Sequence, residues 1–117
     1  MGHEVDPEPL RAEELARVEL RVATVVAARV NPAARVPALV LELDLGPLGT
    51  RTTSAQLTRN YAPEDLVGRQ VVCVANLPPK RVADVCSEVL VLGALDPERG
   101  TVLLALGRPV ENGAPVA

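Results

Sequence analysis

Aromatic residues are nearly missing from this 117-residue chain: Tyr61 is the one ring, and Phe and Trp do not occur. Barrel surfaces that read single-stranded nucleic acid stack bases on exposed rings, so that mechanism has almost no material here. Histidine is as scarce, with His3 alone near the N-terminus. Nucleophilic catalysis of the Ser/His/Asp or Cys/His kind needs an imidazole beside the nucleophile, and His3 is badly placed to supply it. The two cysteines, Cys73 and Cys86, lack the close Cys/His spacing of a zinc site and read as buried thiols acting as small hydrophobes. No run approaches the roughly 18 apolar residues of a membrane span, and the acidic start does not read as a signal peptide. A cytoplasmic, non-catalytic protein without membrane insertion is the expectation.

What is abundant is Val, Leu and Ala: 48% of the chain is hydrophobic and 23% charged, ordinary for one folded domain. Net charge is −3 but unevenly placed. Residues 1–19 carry −4, residues 20–81 carry +4 and the remainder −3, so the middle of an acidic protein has the means to form a basic surface.

Periodicity then assigns the elements. Asp6 to Val18 reads as a short helix with Asp6 as cap, Pro7 and Pro9 in the first turn, and a thin stripe of Leu10, Leu15 and Val18. From Leu20 the period becomes two. Leu20, Val22, Thr24, Val26, Ala28 and Val30 share one face, with Arg21, Ala23, Val25, Ala27 and Arg29 on the other. Leu39, Leu41, Leu43 and Leu45 alternate with Val40, Glu42 and Asp44, the mark of a half-buried antiparallel strand. Gly46 to Gly49 turns the chain into a polar strand, Thr50–Ala55. A helical plug over Ala62–Gly68 precedes Val71–Ala75, apolar on both faces and hence central. Val85–Leu95 and Thr101–Leu106 complete the strands, and the tail from Arg108 is extended. Five or six short strands, one plug helix and no βαβ spacing predict an all-β, closed or partly open barrel of the five-stranded OB-fold type, since closure removes exposed edges. The plug helix lies between strands 3 and 4, and a short N-terminal helix precedes the barrel.

Candidate chemistry is sparse. Glu42 and Asp44 share the wet face of a strand, and no phosphate loop is spelled out around Gly46 and Gly49. The most informative local feature is Asn76 to Arg81, where two prolines stiffen a loop beside Lys80 and Arg81. It reads equally as a barrel-closing loop and as a binding lip.

Several segments in one collinear register, over residues 17–117, resemble the stand-alone tRNA-binding-domain family, most closely its CsaA branch of protein-export chaperones. They are Glu19–Val22, Pro32–Ala38, Asp44–Gly49, Thr53–Thr58, Tyr61–Val74, Asn76–Arg81, Ser87–Gly93 and Arg108–Gly113. The resemblance implies residues 1–18 as an N-terminal extension and residues 19–117 as the domain, with a C-terminal dimerisation tail. It implies a homodimer without cofactor or metal that accepts an apolar or basic segment of unfolded or precursor polypeptide. The protein-export machinery is a further expected partner, and the alternative reading is a binder of tRNA or structured RNA on the same surface. Carried over position by position, the pocket and rim are Ser54, Gln56, Asn76, Leu77, Pro78, Pro79, Lys80, Arg81, Ser87 and Glu88. Hydroxyl, amide and carboxylate groups suit the backbone of an extended peptide, and Leu77 and the prolines suit its side chains. Asn60, at a position where the family is typically basic, lowers the charge of one rim.

Overall fold

Alternating leucines build the centre of the molecule. The computed structural model describes residues 8–117. Leu39, Leu41, Leu43 and Leu45 are each no more than 1% exposed. Burying each is worth about 1.5–3 kcal/mol over leaving it in water. Ala23, Val25, Leu57, Leu66, Val71, Cys73 and Val89 complete the core cluster around them.

In chain order the elements are α1 (Ala12–Ala16), β1 (Leu20–Val30), β2 (Leu39–Asp44), a 3-10 turn (Gly46–Leu48), β3 (Thr50–Ala55) and α2 (Pro63–Leu66). After them come β4 (Gln70–Val74), β5 (Lys80–Val82), β6 (Val85–Ser87), β7 (Leu90–Val91), β8 (Gly93–Asp96) and β9 (Gly100–Leu103). Five strands form one antiparallel sheet in the order β3-β2-β1-β4-β7, and β5-β6 and β8-β9 are separate hairpins. The sheet curls until β3 meets the Ser87–Val89 segment, where the Glu88 N–H donates to Thr52 O at 2.8 Å. This is the OB-type barrel the strand pattern predicts, with α2 between β3 and β4.

The departures have physical causes. The first helix is shorter than predicted: Arg11 caps it, its N–H donating to Glu14 Oε1 at 3.0 Å, while Asp6 and Pro7 lie outside the described residues. In β1 the simple alternation fails at a bulge between Val25 and Ala27, which pushes Val26 out to 49% exposure. Val22 and Ala23 are both buried because the tail lies along this part of β1. The Gly113 N–H donates to Val22 O at 2.7 Å and the Val116 N–H to Leu20 O at 2.9 Å. Gln70 clamps that tail, donating to Val110 O at 2.6 Å and accepting from its N–H at 3.0 Å. Gly46, at φ +60, must be glycine, since a Cβ there would run into the Asn112 carbonyl. The single strand predicted over Val85–Leu95 is three pieces, because residues 87–89 leave their hairpin to close the barrel. Only Cys73 is the buried thiol predicted; Cys86, on β6, is exposed.

Candidate binding cavity

Beside the barrel seam, the loop after β1, the end of β3 and the β5–β6 hairpin enclose a cavity of about 740 Å³ with residues 89–93. Its walls are aliphatic, with Val82, Val89, Val91 and Leu92 among them, and its charged lining consists of Arg35 and Lys80. The loop carrying Arg35 is fixed by Asn31, which is 3% exposed. Asn31 Oδ1 accepts from the Ala33 N–H at 3.1 Å, and its own N–H donates to Ala38 O at 2.9 Å. Three apolar side chains at the mouth face solvent: Val36 (53% exposed), Leu90 (51%) and Leu95 (83%). An aliphatic cavity with a few polar groups at its edge is the usual form of a ligand-binding site.

Of the ten residues singled out from the sequence, Ser54, Gln56, Lys80 and Ser87 line this cavity. Ser87 does so while serving the seam, accepting from the Ser54 N–H at 3.1 Å and lying 2.9 Å from Thr53 Oγ1. Leu77, Pro78, Pro79 and Arg81 are exposed but stand outside the lining. Asn76 and Glu88 also stand outside it, and their polar groups are committed to the barrel itself. Asn76 Oδ1 accepts from the Glu19 N–H at 3.0 Å and its amide donates to Arg17 O at 2.6 Å, tying α1 to β1. Glu88 Oε1 accepts from the Thr52 N–H at 2.9 Å. Arg35 was missed, although it sits in the Pro32–Ala38 segment that carries part of the family likeness.

Tyr61 offers no stacking platform. Its hydroxyl accepts from the Leu103 N–H at 3.0 Å, and the Arg69 guanidinium covers its ring at 5.5 Å from the centroid. Asn60 is an anchor rather than a rim group, donating to Arg99 O at 2.7 Å and Thr101 O at 2.9 Å. Among the described residues no cluster of His, Cys, Asp and Glu could hold a metal ion, and no helix is long and apolar enough to cross a membrane.

A small OB-type barrel with an aliphatic side cavity and a tail folded back on its first strand defines the class. Residues 20–115 match the family described as a putative tRNA binding domain, and the chain belongs to that family. Chaperone CsaA of Bacillus anthracis superposes with a TM-score of 0.88 at 45% identity, covering 93% of this chain and 99% of that one. The CsaA chaperone protein of Picrophilus torridus follows at 0.87 and 32%, covering 93% and 100%. Methionine–tRNA ligase of Porphyromonas gingivalis is 34% identical over 98% of this chain but only 17% of its own length. The chain spans 13–17% of the length of the curated relatives it matches.

Proposed function

We propose that this chain is a non-catalytic, cytoplasmic chaperone that works as a homodimer and holds unfolded or precursor polypeptide segments, in the service of protein export. The observation that carries the reading is the aliphatic cavity with an exposed apolar mouth, on a fold shared over nearly its whole length with CsaA chaperones. In this reading an extended segment seats its apolar side chains there, and Ser54 and Gln56, which line the cavity, offer a hydroxyl and an amide to its backbone. Dimerisation is supported by Leu15 of α1 and by Leu10 and Val18 just outside its two ends, which stay 56%, 69% and 41% exposed. Two cavities in one dimer add avidity without new contacts. The tail and residues 8–18 are assigned to the dimer seam in this reading.

Structured RNA is the second reading, favoured by the family description and the methionine–tRNA ligase relatives. A salt titration separates the two. Phosphate-led binding weakens steeply as salt rises, whereas apolar burial and backbone bonds change little. Salt-insensitive binding of a reduced, unfolded polypeptide, with tRNA lost at physiological salt, supports the chaperone. Tight tRNA binding at that salt with no polypeptide binding overturns it. Sedimentation as a monomer at micromolar concentration would contradict the dimer.

A further inference from the structure

The cavity's charge is one-sided. Arg35 reaches it from the loop after β1 and Lys80 from the first position of β5, and no acid joins them in the lining. Both side chains are exposed, and neither forms an ion pair among the described residues. The nearest acids in sequence, Glu42 to Arg35 and Asp84 and Glu88 to Lys80, stand outside the lining and form no ion pair with either cation among the described residues. Two uncompensated cations therefore flank an aliphatic hollow whose mouth is Val36, Leu90 and Leu95.

We infer that the segment taken by this cavity is apolar with a carboxylate at its edge, supplied by a flanking Asp or Glu side chain or by the free C-terminal end of a chain. The inference rests on the polypeptide-binding reading above and puts an acidic flank in place of the basic segment that the family resemblance allows. The physical argument is complementarity. Aliphatic walls accept any apolar side chain and so do not select among segments. A carboxylate meeting a guanidinium or ammonium gains a charge-assisted bond, and a lysine brought to the same place meets like charge. Arg35 and Lys80 thus set which apolar segments stay, and the walls set how tightly.

The test is fluorescence anisotropy with one short, labelled aliphatic peptide in four forms. These are amidated and neutral, amidated with an added Glu, neutral with a free C-terminal carboxylate, and amidated with an added Lys. The Glu form, the free-carboxylate form or both should bind about tenfold tighter than the neutral amide, and the Lys form should bind weakest. Whichever carboxylate form gains identifies the source. High salt should shrink the preference and leave the neutral peptide's affinity in place. Arg35→Glu with Lys80→Glu, at exposed positions, should reverse the order so that the Lys peptide leads, with an unchanged circular dichroism spectrum.

Equal binding of all four forms overturns the inference and leaves the polypeptide reading standing. Failure of every peptide to bind overturns both. An unchanged order in the charge-reversed variant, or displacement of the Glu peptide by a short uridine oligonucleotide at comparable concentration, assigns the cations elsewhere and overturns the inference.

Discussion

Glu88 and Thr52 bond each other twice across the barrel seam: the Glu88 N–H donates to Thr52 O at 2.8 Å, and the Thr52 N–H donates to Glu88 Oε1 at 2.9 Å. The second contact replaces a ladder bond with a side chain. Glu88→Ala strands a half-buried N–H and should cost about 1–3 kcal/mol in urea unfolding, because an unmet donor keeps its desolvation penalty. Glu88→Gln keeps an acceptor oxygen and should recover most of the loss. Equal stability of the alanine variant and the parent would show that the seam does not depend on this carboxylate.

The two thiols should separate cleanly by reactivity. Burial pushes the Cys73 thiol up from its ordinary value, which keeps it protonated and inert, whereas Cys86 is exposed on β6. A thiol reagent at neutral pH should modify one cysteine in the folded protein and the second only in denaturant. Cys86→Ser should abolish the native-state signal. Rapid modification of both would mean that the core opens far more readily than its packing implies.

Ala83, at φ +56, begins the two-residue turn between β5 and β6, with Asp84 after it. A positive φ at the first central residue is the II′ pattern that asks for glycine there. Ala83→Gly should raise stability by about 0.5–1 kcal/mol, the left-handed penalty of a Cβ less the added freedom of the unfolded chain. A fall in melting temperature for this variant would refute the turn assignment.

Asp96 shapes the β8–β9 turn by accepting from the Glu98 and Arg99 N–H groups, each at 2.8 Å. The Arg99 and Glu98 N–H groups hold this carboxyl below its ordinary value. A carboxyl depressed on folding stabilises above its unfolded pKa, and that contribution is lost as pH falls through the folded value. The protection of the Glu98 and Arg99 amides, their exchange measured against the intrinsic rate at each pH, should therefore fall in acid, below the usual aspartate range. Asp96→Ala should show fast exchange already at neutral pH. Protection factors indifferent to both pH and substitution would remove Asp96 from the turn.

Much of the barrel was legible because strand periodicity reports one thing well, which side of a sheet is dry. The three leucines of β2 with Leu45 just after it, and the apolar run Val71–Val74 of β4, announced the core directly. Where two causes act on one strand the signal fails. The bulge in β1 turns Val26 outward and the tail lying over the strand's start buries Val22 and Ala23 together, and neither cause leaves a two-residue period to read. For the cavity, Ser54, Gln56, Lys80 and Ser87 could be found from the sequence. Asn76 and Glu88 could not be sorted from them, since an amide or carboxylate looks the same whether it serves a ligand or its own backbone. Only the seam and the α1–β1 junction decide that. Arg35 lay hidden for the opposite reason: its loop has no periodicity, and a lone arginine between prolines and alanines carries no pattern.

Ser87 belongs to two structures at once, the line of contacts that shuts the barrel and the wall of the hollow beside it. Whatever settles in the hollow therefore presses on the fastening of the fold. Occupancy and folding become one equilibrium, and a client that fits must raise the temperature at which the empty protein comes apart, by an amount set by its concentration over its dissociation constant.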